Sequence, residues 1–188
     1  ELFFKELFDW GEMQTDPNFG NYRIRIAEET GEATDQIVLL DFGAVQKYPE
    51  AFLSPLKAMI KASYERDLEQ VIDGGVALNF MSREWPADVL DRFGEVCMSV
   101  LEPLAPANSE WPDYAVNGQG QYRWKQSDLP SRVARQAARS AISRYFKIPP
   151  KEFVFLNRKL IGVYTFIAVL NSEFNGELLL KSYLYGDE

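Results

Sequence analysis

Two short acidic motifs and the segment that joins them, residues 13–43, limit the fold of this chain more than any other stretch. The first motif is Asp16-Pro-Asn-Phe-Gly-Asn21, in which an Asn follows an Asp by five positions. The second motif is Asp41-Phe-Gly43, which comes directly after an apolar run. The joining segment therefore carries polar oxygen atoms at both of its ends.

The segment between the motifs has the pattern of one β-hairpin. Residues 22–26 alternate between apolar side chains and arginines, which is the period-2 pattern of a half-buried strand. Residues 28–35 are polar and contain Gly31, which is typical of a turn. Residues 37–40 are a short apolar run of strand-forming residues.

The open end of this hairpin is a candidate cation site. A hairpin folded symmetrically about Gly31 places Asn21 opposite Asp41, because each lies ten residues from the tip, and Asp16 lies in the loop just before. Hard oxygen ligands of this kind suit Mg²⁺, which takes one or two protein groups and fills its octahedron with water and phosphate oxygens. The alternative interpretation of Asp16 and Asn21 is a turn held by side-chain hydrogen bonds.

The order of the motifs, Asp-x-x-x-x-Asn, a hairpin and then Asp-Phe-Gly, is that of the catalytic and metal-binding loops of kinases. Three segments extend the likeness: Met-Gln-Thr-Asp-Pro-Asn-Phe at 13–19, Leu-Asp-Phe-Gly-Ala at 40–44 and Phe-Val-Phe-Leu-Asn-Arg-Lys-Leu at 153–160. Together they resemble the UbiB/ADCK family of atypical kinase-like proteins, and the Gln-Thr-Asp-Pro-Asn segment resembles its coenzyme Q branch. The resemblance spans nearly the whole chain but only the second half of the family's kinase-like domain.

The resemblance implies a role for each site residue. Asp16 matches the catalytic Asp, which orients or deprotonates the group that attacks the γ-phosphate of ATP. Asn21 and Asp41 match the residues that hold Mg²⁺ and, through it, the nucleotide. The implied activity is that of an atypical kinase or ATPase that supports ubiquinone (coenzyme Q) biosynthesis. Ordinary protein phosphorylation is not expected, because the long activation loop and Ala-Pro-Glu motif of protein kinases are missing after Gly43.

Composition excludes several other classes of function. The net charge is −8, which argues against a nucleic-acid partner because phosphate attraction needs a basic face. The chain has no histidine and one cysteine, Cys97, so Ser-His-Asp and Cys-His catalysis, histidine-containing zinc sites and an internal disulfide are all excluded. No apolar run approaches the ~20 residues of a membrane span.

The rest of the sequence predicts helices, which makes the expected fold class mainly α with one β-hairpin, like a protein-kinase C-lobe. Phe42 is predicted to be a packing residue, and residues 102–127 are predicted to be an irregular segment anchored by aromatic side chains. The predicted helices cover 51–64, 68–72 closed by a Gly-Gly pair, a segment opened by Pro86, 128 to about 146, and a long segment after Pro150.

A complete kinase site needs parts that this sequence lacks. There is no Val-Ala-Ile-Lys strand, no Gly-rich phosphate loop and no Lys-x-Gly-Gln segment. We therefore interpret residues 1–188 as the C-terminal lobe of a kinase-like domain and expect an N-terminal lobe upstream, with weak nucleotide binding by this chain alone. Other expected partners are quinone-biosynthesis proteins or a membrane surface, and the expected location is intracellular, in the bacterial cytoplasm or the mitochondrial matrix.

Two alternatives stay open at this point. The first is a catalytically inactive scaffold that senses a nucleotide or a metal and has kept the acidic motifs. The second is a small-molecule phosphotransferase of the aminoglycoside- or choline-kinase type, which shares the two motifs. The Gln-Thr-Asp-Pro-Asn wording and the late Phe-Leu-Asn-Arg-Lys-Leu segment count against the second.

Overall fold

The computed structural model describes residues 1–31, 33–107, 110–141, 145 and 149–186. The strands are β1 Glu12–Gln14, β2 Tyr22–Arg25, β3 Gln36–Leu39 and β4 Val45–Lys47. The helices are α1 Leu2–Phe4, which continues as π-helical turns over Lys5–Trp10, α2 Ala27–Thr30, α3 Glu50–Glu65, α4 Leu68–Ala77, α5 Ala87–Val100, α6 Leu129–Ala141, α7 Lys151–Val169 and α8 Glu177–Tyr185. Short 3₁₀ turns cover Phe19–Asn21, Glu102–Leu104 and Asp113–Ala115.

The described strands form two antiparallel pairs instead of one hairpin. Strands β2 and β3 form the predicted hairpin, with Tyr22 opposite Leu39 and Arg25 opposite Gln36. Strands β1 and β4 form a second pair that the sequence analysis did not predict, with Met13 opposite Gln46. The prediction of a single hairpin was incomplete. The mainly α fold class is confirmed, because the helices described above contain most of the regular structure and each sheet has only two strands.

The predicted helices are present, with one boundary placed wrongly. Helix α4 does not close at its Gly-Gly pair but runs through it to Ala77. A Cβ at Gly74 would lie 2.6 Å from the Cβ of Met59 on α3, so the missing side chain allows α3 and α4 to pack closely. The predicted end of α6 near residue 146 lies outside the described residues. Among the helices that the structure describes, none combines the length and apolar character needed to cross a membrane.

Helix α7 joins the two main apolar cores of the chain. Leu156 near its start packs in a core shared with α1, β1, α3 and α4, which includes Leu7 and Met13. Tyr164 near its end packs in a second core with residues of the irregular segment, and its hydroxyl donates to Val100 O at 2.8 Å. A helix held at both ends by separate cores is a rigid base for whatever contacts its remaining face.

The irregular segment is anchored by aromatic side chains, as predicted. Trp111, Tyr122 and Trp124 are buried in the second core, whereas Tyr114 is exposed. The Tyr122 hydroxyl donates to Glu102 Oε1 at 2.7 Å. Trp124 packs against Tyr164 of α7, and Tyr122 packs against Trp124, so these rings hold the segment in position.

Candidate active site

Two loops carry the three predicted site residues and lie side by side. Loop A is residues 15–21, and loop B is residues 40–44. At one end of the loops, Thr15 donates two hydrogen bonds to Ala44 O, one from its backbone N and one from Oγ1, each at 2.9 Å. Thr15 directly precedes Asp16, so these bonds fix the start of loop A against the end of loop B.

A second hydrogen bond joins the other ends of the loops. The backbone N of Leu40 donates to Asn21 O at 2.9 Å. Asn21 therefore lies opposite Leu40, and the predicted pairing of Asn21 with Asp41 was wrong by one residue. The reason is that helix α2 forms the tip of the hairpin, with Gly31 at φ +73° ending that helix, so the centre of symmetry falls before Gly31. Asp41 is the next residue after the pair.

Asp16 is held on both of its carboxylate oxygens. Oδ2 accepts from Asn21 Nδ2 at 2.9 Å, and Oδ1 lies 3.1 Å from Arg158 Nη2. The side chains of Asp16 and Arg158 are 32% and 56% exposed, so the pair lies at the surface and is open to a ligand. A carboxylate offers about four acceptor positions, so Asp16 can still take a further proton donor. Because Asn21 uses its amide nitrogen here, its amide oxygen is the atom left for a cation.

Asp41 is exposed on loop B and directly follows Leu40, whose backbone N bonds to Asn21 O. Its Oδ1 accepts from Gly43 N at 2.7 Å, which fixes the carboxylate and leaves the second oxygen available. Within the described residues, no three His, Cys, Asp or Glu side chains lie close enough to hold a metal by themselves. An oxygen-only pair such as Asn21 and Asp41 fits Mg²⁺, which completes its coordination with water and phosphate oxygens.

One face of helix α7 supports loop A. Arg158, Gly162 and Phe166 recur at four-residue steps, which places them in one row on the helix. Arg158 contacts Asp16, Gly162 lies against Pro17, and the ring of Phe166 lies 5.3 Å from that of Phe19. We call this row the α7 platform. None of these residues was assigned a role from the sequence, and only Arg158 lies within the segment 153–160 that carries part of the resemblance.

Gly162 is the tightest point of the α7 platform. A Cβ there would collide with Pro17 Cβ and lie 2.9 Å from Pro17 Cγ, and the proline ring cannot rotate away. Replacing Gly162 by Ala is thus expected to displace loop A, although the helix itself gains up to about 1 kcal/mol in propensity. Hydrogen–deuterium exchange should be at least several-fold faster in residues 15–22, with little change in thermal stability. Gly118→Ala is the matched control, since a Cβ at Gly118 meets nothing within 4 Å. Unchanged exchange in the Gly162 variant would contradict the platform.

The apolar face of the hairpin and Phe42 are not buried by the described part of the chain. Ile24 lies opposite Ile37 on one face of the β2–β3 pair, and both are exposed. Phe42 is 60% exposed. The prediction that it packs was therefore wrong within the part of the chain that the structure describes. The hairpin thus exposes two apolar side chains and loop B exposes a third.

Comparison with known proteins agrees with the motif order. Residues 1–74, which contain both loops, match the family model described as the ABC1 atypical kinase-like domain. The whole chain is 30% identical over 192 residues to atypical kinase coq-8, mitochondrial, of Caenorhabditis elegans. The chain belongs to the UbiB/ADCK family of atypical kinase-like proteins. Its helices and small sheets fit the C-lobe of a kinase-like domain.

Two further relatives match most of the chain. It is 26% identical over 182 residues to probable serine/threonine-protein kinase abkA of Dictyostelium discoideum and 28% identical over 172 residues to atypical kinase COQ8B, mitochondrial, of Rattus norvegicus. These alignments cover 97% and 91% of the chain, and the alignment to coq-8 covers all of it. The chain spans only 23% to 30% of the length of the three relatives.

Proposed function

We propose that this chain supplies the catalytic and metal-binding loops of a Mg²⁺- and ATP-dependent atypical kinase or ATPase. One observation carries the proposal: hydrogen bonds join loops A and B at both ends, and Asp16 and Asn21 are hydrogen-bonded to each other within loop A. Phosphoryl transfer depends on positioning and electrostatic stabilisation more than on covalent chemistry. Two loops held at both ends suit that requirement.

In this proposal Asp16 is the catalytic residue. Its carboxylate accepts the proton of the hydroxyl or water that attacks the γ-phosphate, or orients that group for attack. Arg158 and Asn21 fix the direction of the carboxylate, so it needs little rearrangement when substrate binds. The guanidinium of Arg158 also balances charge beside the incoming phosphate oxygens.

Asn21 and Asp41 are proposed to hold the metal ion. The ion would neutralise charge on the ATP phosphates, which is the chemistry that magnesium supplies in such sites. Asn21 would contribute its amide oxygen and Asp41 the carboxylate oxygen that Gly43 does not use. This set has the hard oxygen donors that Mg²⁺ prefers.

The remainder of the nucleotide site is proposed to lie on a second lobe. The relatives are about three to four times as long as this chain, and a covering loop and a phosphate-binding lysine are missing from its sequence. The exposed apolar side chains of Ile24, Ile37 and Phe42 are suited to that contact. We accordingly expect this chain alone to bind nucleotide weakly.

The biological setting is proposed from the printed names of the relatives. Two of the three relatives described above are named as mitochondrial atypical kinases, coq-8 and COQ8B. We propose a role in ubiquinone biosynthesis and a mitochondrial location, with quinone-biosynthesis proteins or a membrane surface as further partners. A bacterial location remains a prediction from the sequence.

A catalytically inactive sensor is the second candidate function. The observation that favours it is that both oxygens of Asp16 are already engaged, by Arg158 and by Asn21. In a sensor these contacts would only keep loop A in its present conformation, and Asp16 would have no part in chemistry. The third possibility, an aminoglycoside- or choline-kinase-like phosphotransferase, gains no support from the names of the relatives.

Nucleotide turnover by the full-length gene product tests the proposal. We expect calorimetric binding of ADP that requires Mg²⁺ and steady-state release of phosphate from ATP that EDTA abolishes. Metal-dependent binding without turnover would favour the sensor. If ADP bound neither with nor without Mg²⁺, both the catalytic function and the sensor function would be contradicted. Tight metal-dependent binding by residues 1–188 alone would contradict the need for a second lobe.

A further inference from the structure

Lys159 makes contacts on both sides of loop A from inside the protein. It follows Arg158 on α7 but points inward, and its side chain is 2% exposed. Its Nζ lies 3.3 Å from Glu6 Oε2 and also donates to the Tyr22 hydroxyl at 3.3 Å. Glu6 is buried as well, and its Oε1 accepts from the backbone N of Gln14 at 3.2 Å.

These contacts reach the two residues that flank the site. Gln14 lies two positions before Asp16, and Tyr22 directly follows Asn21. A single ammonium group therefore links the strand that enters loop A to the strand that leaves it. Arg158 contacts Asp16 within loop A at the exposed side of the helix, whereas Lys159, the next residue of α7, contacts Tyr22 and Glu6 in the interior.

Stability alone is a poor explanation for this buried pair. Removing two charges from water costs free energy, and apolar residues of similar size often serve the fold equally well. Burial raises the pKa of Glu6, and Lys159 and the Gln14 N–H oppose that rise only in part. Among the described residues, the Gln14 side-chain amide has no hydrogen-bond partner, and Glu6 Oε2 has only the ion pair with Lys159. A buried polar cluster that is incompletely satisfied calls for another explanation, and a functional role is one.

We propose that Lys159 is a positioning residue for phosphoryl transfer. Through Glu6 and Tyr22 it fixes both ends of loop A, and so fixes Asp16 relative to the ligand pair Asn21 and Asp41. This inference rests on the proposed function above. It assigns Lys159 no contact with substrate, metal or the reacting atoms.

Removing both charges together separates positioning from folding. Lys159→Met or Glu6→Gln alone leaves one buried charge unpaired and should lower the thermal midpoint strongly. The double variant leaves none, so its midpoint should return close to that of the wild type. Its kcat should nevertheless stay about 10- to 100-fold low at a near-normal KM for Mg-ATP, because small misplacements of reacting groups cost this much. A double variant with wild-type midpoint and wild-type kcat would overturn the proposal.

Tyr22→Phe gives a second test that does not depend on recovery of the double variant. The change removes one hydroxyl and leaves the Lys159–Glu6 pair intact. We expect a loss of about three- to tenfold in kcat with a smaller fall in the thermal midpoint than in either single charge variant, because Lys159 loses one acceptor but keeps Glu6. Tyr114→Phe, on the exposed part of the irregular segment, is the control and should behave as the wild type. A wild-type kcat in Tyr22→Phe would show that the hydrogen bond between Lys159 and Tyr22 does not position loop A.

Hydrogen–deuterium exchange of the nucleotide-free full-length protein provides a readout that needs no activity. Exchange in residues 15–22 should be faster in both the double variant and Tyr22→Phe, while helix α3 keeps its protection. If the wild type turns over no nucleotide, the proposed function fails but this measurement still decides the positioning role. Unchanged exchange in both variants would overturn that role.

Discussion

Calorimetric titration of Mg-ADP into an Asp41→Asn variant of the full-length protein is expected to show affinity at least about a hundredfold below that of the wild type. Replacing residues that only support a metal ligand typically costs 10- to 100-fold in metal affinity, so loss of a ligand charge should cost no less. The Asn side chain retains an acceptor for the Gly43 N–H, which keeps the shape of loop B. Asp41 is exposed, so no buried partner is left unpaired and thermal stability should hardly change.

Asp91→Asn is the matched control for that titration. Asp91 is an exposed residue of helix α5, so the variant removes the same charge away from the two loops. Its Mg-ADP affinity should equal that of the wild type. If Asp41→Asn bound Mg-ADP as tightly as the wild type, the metal role of Asp41 would be wrong. The same conclusion would follow if EDTA left the ADP affinity of the wild type unchanged.

The sequence was sufficient to predict the hairpin and the helices because their signals are local. The alternation over residues 22–26 and the apolar run over residues 37–40 became β2 and β3, and helix α3 lies within one residue of its predicted limits at each end. Strands β1 and β4 were missed because three residues are too short to show a period of two. Yet this second pair continues into the bonds between Thr15 and Ala44, so part of the site depends on the element without a sequence signal.

The contacts that hold loop A could not be predicted for a different reason. Asp16 and Arg158 lie 142 positions apart, and Lys159 and Tyr22 lie 137 positions apart. No local pattern specifies such pairs, because they depend on how the two cores place α7 against the loops. Resemblance to the family drew attention to residues 153–160 but gave no contact for any of them. The one-residue error in the hairpin register has a local cause instead, since α2 shifted the tip without changing the alternation.

The two acidic residues of the site should give different kinetic results. Asp16→Asn is expected to lower kcat for ATP about a thousandfold, because a positioned proton acceptor contributes about 10²- to 10⁴-fold. Its Mg-ADP affinity should stay within about twofold of the wild type, since the proposal gives Asp16 no metal contact. Stability should change little as well, because the pair with Arg158 is partly exposed and such pairs contribute about 1 kcal/mol or less.

Steady-state phosphate release and calorimetry on the same preparation of Asp16→Asn separate the remaining interpretations. Lost turnover with retained binding supports proton acceptance or substrate orientation by Asp16. Lost binding would instead mean that Asp16 holds Asn21 in place for the metal, through the bond between Asn21 Nδ2 and Asp16 Oδ2. Unchanged turnover would remove Asp16 from the chemistry and leave it as a turn residue. Because Asp41→Asn should lose binding and Asp16→Asn should keep it, the pair of variants assigns metal binding and proton chemistry to different residues.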